Sequence, residues 1–438
     1  MQNASIYVQN SVSRESQLLS KTNFQGLKMA SSFLDIVLTS SPDGQITAYD
    51  PYSGSTLVKF NGSRTPRKGL TLIDKKLIAA SHVSSDTGLG SVNLYNWWSS
   101  TPFHQLPMPE PVAPIVATRD GSYLFAGGVS GQIHSISIPS GDIILSVAAH
   151  TKAITCLEIN PDGSLLLSGS DDGTISVFPI HQLVDSSSSK NSPLQRLIGH
   201  ESSVTAITTG TGGCNGTIIS CSLDCTCKFW SLMQKKPLYT VTFPCTIWEV
   251  KMDSLESEIY TAGSDGLVYK CALNTTSRNR MKQGLEFVTW KRQHDGAITS
   301  MVTINWGLNL VTASEDGNLC FWDVGRGETI RVLDQQQTGN ISHLMAVTGQ
   351  SHHHGGATVA RMDENVAGFG RLDMRFSGNK KPYIPITEIM EMEEQLAVSV
   401  VDRKRAVDTL ELAIGGYERL LKLILKEVQG GGSNSKQS

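Results

Sequence analysis

The stretch LSGSDDGTISVFP, Leu167–Pro179, aligns without a gap with ISCSLDCTCKFWS from Ile219 and with VTASEDGNLCFWD from Val311. Each copy places a serine two residues before an aspartate and an aromatic residue six after it, and a histidine precedes each aspartate by 22 to 24 residues. The three sets are His150, Ser170, Asp172 and Phe178; His200, Ser222, Asp224 and Trp230; and His294, Ser314, Asp316 and Trp322. Apolar and polar residues alternate on both sides of the aspartate, the pattern of two antiparallel strands joined by a tight turn. Each set is expected to form a hydrogen-bonded chain that ties a hairpin to its preceding loop, at about 1 kcal/mol net per bond. A Ser-His-Asp triad uses the same residue types, but catalysis needs one such site and this chain repeats the set. No catalytic, metal or cofactor residue is assigned.

The repeated set resembles the structural tetrad of the WD repeat, which implies a β-propeller of four-stranded blades. Weaker copies extend it. LTSSPDGQITAYD keeps Ser41, Asp43 and Tyr49, and YTAGSDGLVYKCAL keeps Asp265 with Gly263 and Cys271 in place of the serine and the aromatic. FAGGVSGQIHSISI has Ser130 and Ile136 instead, and GLGSVNLYNWWS keeps only the second strand of its hairpin. Turns near residues 43, 89, 130, 172, 224, 265 and 316 give seven blades at intervals of 41 to 52 residues. The longest intervals hold the polar insertions DSSSSKNS and NTTSRNRMKQG, expected as surface loops.

The ring needs a closing strand. Opening strands share a β-branched residue followed by a small hydroxyl, as in ITCLEI, VTAITT and ITSMVT, and the pattern returns after the seventh repeat in GNISHLMAV. The segment before the first hairpin, QGLKMASS, makes a poor strand. Residues 341–347 are therefore expected to supply the missing inner strand of blade 1, which removes the open edge. The predicted organisation is a 1–32 extension, a 33–347 all-β propeller, a 348–386 linker or docking segment, a 387–429 helix and a 430–438 tail. Residues 1 to about 30 are then dispensable for folding, and Met29 is an alternative start.

Composition narrows the function classes. A net charge of −3 and a pI near 6.4 argue against a surface built to neutralise phosphates. No apolar run approaches the ~20 residues of a membrane helix, and a secretory signal pattern is missing, so an intracellular protein with buried free thiols is expected. Cys221, Cys225 and Cys227 match no zinc spacing, and His352–His354 stand in a glycine-rich stretch without a second cluster.

From Thr387 the period becomes helical. Val400, Val407, Ile414, Leu421 and Val428 fall on one heptad position, and Leu396, Leu410, Tyr417 and Ile424 on the other. This is a coiled-coil seam, interrupted by Glu393 and Arg403 and weakened by Gly415 and Gly416. An intermolecular seam forming a homodimer is expected over a helix packed on its own propeller.

The degenerate sixth blade entered through FPCTIWEVKMD, the well-formed seventh, the closing strand and the trailing helix together look like one WD-repeat family. It is the WD-repeat subunit of the Rix/PELP-type assembly that matures the large ribosomal subunit, whose plant members are root-initiation-defective proteins. The resemblance implies a non-catalytic scaffold in the nucleus whose propeller binds a large helical-repeat subunit. It also implies that the helix pairs two copies, and that the complex joins pre-ribosomes with a dynein-type AAA ATPase. Membrane and direct nucleic-acid sites are not expected. Other scaffold classes, such as a ubiquitin-ligase substrate receptor or a trafficking adaptor, share the fold. Changing Leu410 and Ile414 together to aspartate is expected to abolish self-association in analytical ultracentrifugation with the propeller intact; a persistent dimer refutes the seam.

Overall fold

A computed structural model describes residues 35–74, 76–84, 88–97, 99–185, 192–213, 216–232, 237–273, 287–333 and 339–348. Seven four-stranded antiparallel sheets lie in sequence order. Blades 2 to 7 occupy residues 70–107, 112–148, 154–198, 204–242, 247–289 and 298–333, and the chain runs outward through each blade. Inner strands of successive blades contact one another around the whole ring. One short helix, Ile180–Val184, packs Leu183 into the core between blades 3 and 4.

Blade 1 combines Asp35–Ser40, Ile46–Tyr49 and Thr56–Phe60 with the inner strand His343–Thr348. The register runs from Asp35 opposite Thr348 to Ser40 opposite His343. Ile341 and Ser342, expected within that strand, precede it; Ile341 is buried in the core between blades 7 and 1. The core lies between sheets, because each blade turns apolar side chains to both neighbours. Phe229 and Cys221 of blade 5 pack with Val250 and Tyr269 of blade 6, for example, and Tyr260 of blade 6 packs with Trp322 of blade 7.

The small hydroxyl of the opening strands has a defined use. Thr205 Oγ1 donates to the carbonyl of Ile247 at 2.7 Å, Thr299 Oγ1 to that of Ile341 at 2.7 Å, and Ser342 Oγ to that of Thr65 at 2.8 Å. Thr155 donates in the same way to Val204. Each bond joins one inner strand to the next blade, so the recurrent hydroxyl fastens the ring from within. Blades 3 and 6 depart from the series, with Ala113 and Trp248 at the hydroxyl position.

The residue after the turn aspartate adopts a left-handed conformation, supplied by glycine at Gly173 and Gly317. Blade 5 uses Cys225 there at φ 63°. The expectation of free thiols fails on either side of it: Cys221 and Cys227 face each other across the hairpin, with Cα atoms 4.2 Å apart, and form a disulfide. Cys156, Cys225, Cys245, Cys271 and Cys320 are free. Replacing Thr299 with valine keeps the shape but strips the Ile341 carbonyl of its donor, and is expected to lower unfolding free energy by about 1–2 kcal/mol. Urea titration measures it, and an unchanged midpoint shows that the hydroxyl does not fasten the ring.

Candidate functional site

The three tetrads recur as hydrogen-bonded polar clusters in blades 4, 5 and 7, and their geometry corrects one member of each. In blade 5, His200 Nδ1 is 2.8 Å from Asp224 Oδ2 and His200 Nε2 is 2.8 Å from Ser220 Oγ. The Trp230 indole N–H donates to the same Ser220 oxygen at 2.8 Å. A consistent proton order runs from the indole to the Ser220 hydroxyl, from that hydroxyl to His200 Nε2, and from His200 Nδ1–H to the carboxylate. Blade 7 repeats it with Thr312: His294 Nε2 and the Trp322 indole both lie 2.8 Å from Thr312 Oγ1, and His294 Nδ1 is 3.7 Å from Asp316. In blade 4, His150 bonds Ser168 at 2.8 Å and Asp172 at 3.3 Å, while Phe178 has no donor and contributes packing alone.

The tetrad hydroxyls are therefore Ser168, Ser220 and Thr312, two residues earlier than the expected Ser170, Ser222 and Ser314. Those three serines accept from the aspartate amide two residues ahead, at 3.1, 3.1 and 3.3 Å, and so shape the turn. Residues two apart on a strand share a face, so alternation could not separate the candidates. Ser168, deeper in the sheet, lies within reach of the histidine; Ser170 sits at the strand end.

Burial opposes ionisation of Asp172, Asp224 and Asp316, but bonds from loop amides, turn side chains and the histidines outweigh it. Asp172 is held at about 2, and the other two also lie below the usual carboxylate range. Burial pushes His150 and His294 down despite their aspartate neighbours. The unfolded chain takes up these protons first, so this stabilisation declines as pH falls through the histidine range and then through the carboxylate range.

The decayed blades are rewired. In blade 3 the carboxylate comes from the loop: Glu110 accepts from the Ser130 amide at 2.8 Å and its hydroxyl at 2.6 Å, and His134 Nε2 lies 2.8 Å from it. The signal was readable, since Glu110 precedes Ser130 by 20 residues, close to the histidine-to-aspartate interval. In blade 6, Tyr269 donates to Asp265 at 2.5 Å in place of a histidine.

The channel is bridged by the turn Thr65-Pro66-Arg67-Lys68-Gly69 of blade 2. Arg67 donates to the carbonyl of Trp248 in blade 6 and, at 3.2 Å, to that of Thr299 in blade 7, with its guanidinium 4.7 Å from the Trp248 ring centre. It bonds blades 6 and 7 where the hydroxyl is missing. Lys68 pairs with fully buried Glu249. Burial would raise the Glu249 carboxyl, yet Lys68, Lys251 and Arg67 hold it below its ordinary range. Burial and the nearby Lys68 push His343 down to about 3. The charged groups thus pair across the channel, and among the described residues no cluster of histidine, cysteine and carboxylate side chains has metal-binding geometry. A cavity of about 360 Å3 between blades 2 and 3 is lined by Leu72, Asp74, Ala117, Thr118 and Arg119; among the described residues its lining has one carboxylate, Asp74, and no histidine.

The family described as "WD domain, G-beta repeat" matches residues 141–178, 191–231 and 286–323, the segments carrying the three tetrads. The chain carries WD repeats. It is 27% identical to Protein ROOT INITIATION DEFECTIVE 3 of Arabidopsis thaliana, over 92% of this chain and all of that protein. It is 24% identical to WD repeat-containing protein 18 of Homo sapiens, over 67% of this chain and 68% of that one. It is 22% identical to Pre-rRNA-processing protein crb3/ipi3 of Schizosaccharomyces pombe, over 66% and 72%. These relatives bear out the family resemblance drawn from the order of good and decayed blades.

The seam positions Leu396, Val400, Val407, Leu410, Ile414, Tyr417, Leu421, Ile424 and Val428 lie outside the described residues, as do His352–His354. Ser220→Ala removes two buried bonds and is expected to cost about 2–3 kcal/mol, against about 1 kcal/mol for Ser222→Ala. Chemical denaturation of both variants reads the difference, and the reverse order would return Ser222 to the tetrad.

Proposed function

We propose that the protein is a non-catalytic scaffold subunit of a nuclear complex that acts in pre-rRNA processing and maturation of the large ribosomal subunit. The observation that carries this reading is the match to a plant root-initiation-defective protein over 92% of the chain, together with relatives named for pre-rRNA processing. The charged groups of the channel act as ties between blades, Lys68 on Glu249 and Arg67 on the carbonyls of Trp248 and Thr299, in keeping with a scaffold. The propeller binds protein partners, among them a helical-repeat scaffold subunit, and the heptad seam pairs two copies. A dynein-type AAA ATPase on the pre-ribosome is the expected remodelling partner.

Affinity purification of the tagged full chain tests this. Large-subunit assembly factors and precursor rRNA are expected in the eluate, and depletion of the protein is expected to accumulate unprocessed pre-rRNA. A cullin or a coat complex in their place, with normal pre-rRNA on depletion, overturns the proposal.

A further inference from the structure

The propeller face formed by the turns between first and second strands, and between third and fourth strands, carries one row of large exposed apolar side chains. Tyr52 is 50% exposed, Leu255 82%, Trp306 78% and Leu308 64%. Local contacts link the turns that carry them. The carboxylate of Asp35 in blade 1 accepts from the Asn305 amide at 2.7 Å, and burial together with that carboxylate raises the Tyr52 phenol pKa. On the other side, a Cβ at Gly307 would lie 3.6 Å from Asp253 and Ser254, which adjoin Leu255. The row therefore crosses blades 1, 7 and 6.

The fold does not require Trp306. Blade 4 makes the equivalent turn as Asn160-Pro161-Asp162-Gly163, in which Gly163 alone has positive φ. Blade 7 instead holds Asn305, Trp306 and Gly307 at φ 51°, 58° and 87°, a left-handed run disfavoured for a tryptophan. A strained backbone that exposes the largest side chain points to function, and tryptophan and tyrosine dominate the anchors of protein interfaces.

Charge indicates the occupant. Beside the row, Asp50 accepts from the Tyr52 amide and the Ser53 hydroxyl, Asp253 from the Ser254 and Ser257 hydroxyls, and Glu256 from the Thr211 amide and hydroxyl. None of these three carboxylates is ion-paired with a cation among the described residues. We infer that the row of Tyr52, Trp306, Leu308 and Leu255 docks a segment of another protein that presents apolar side chains along one face, flanked by lysine or arginine. Apolar contact supplies the anchor, and the flanking cations meet carboxylates that no described side chain ion-pairs. This inference rests on the scaffold reading and assigns it a surface.

The test places the photo-crosslinker p-benzoylphenylalanine at position 306 of the full chain in cells, with position 198, on the outer strand of blade 4, as control. Irradiation is expected to join position 306, and not 198, to a basic, apolar-faced segment of another protein, identified by mass spectrometry. An adduct within the same chain, with a second copy or with an acidic segment overturns the inference, as does no adduct at all. Trp306→Gly relieves the left-handed strain, so it is expected to leave the melting temperature unchanged or higher while recovery of the crosslinked partner falls at least tenfold. A lowered melting temperature with full partner recovery would assign Trp306 a structural role and overturn the surface. If assembly factors copurify and position 306 forms no adduct, this surface alone falls. If the adduct is with a basic segment of a protein outside ribosome maturation, the surface stands and the scaffold reading falls.

Discussion

Closure of the ring rests on one antiparallel pairing, His343–Thr348 against Asp35–Ser40, between residues some 300 apart in the chain. A row of seven sheets without it would end in two open edges with buried, unsatisfied amides. Once those strands pair, every other blade finds a neighbour on both sides, and the apolar faces that no single sheet can cover are covered. Ser40 and Ser342 also bond each other at 3.1 Å, so side chains lock the register that the backbone sets. The turn that carries Trp306 is held beside this junction through Asp35.

The features legible in the sequence were those that repeat. Asp172, Asp224 and Asp316 occupy the same turn in three blades, so alignment found them and counted the ring. The small hydroxyl of the opening strands was visible as a pattern, but its use was not, because its partner is a carbonyl 42 to 49 residues away, or 277 for Ser342. The choice between Ser168 and Ser170 was beyond reach for a different reason: both face the same side, and both positions carry a hydroxyl in all three copies. Only depth along the strand decides which meets the histidine.

What stayed hidden was unique to one place. Arg67 bonds across 181 and 232 residues, and no period in the chain announces it. Trp248 lies within the opening strand of blade 6, and a missing hydroxyl at that position has meaning only beside Thr205 and Thr299. The Cys221–Cys227 pair was open to a better reading, since the two residues lie symmetrically about Asp224, where a hairpin must oppose them. Rewired tetrads such as Glu110 with Ser130 preserve the interval while exchanging the chemical roles, which defeats a search by residue type.

A repeat array is ordinarily one-dimensional: each unit feels only its neighbours, and local damage propagates around the line. Arg67 adds a chord across the circle. Through it, and through Lys68 on Glu249, the seam between blades 6 and 7 shares energy with a turn of blade 2, so substitutions at these distant sites will not combine additively. The ring behaves less like beads on a closed thread than like a wheel with one spoke.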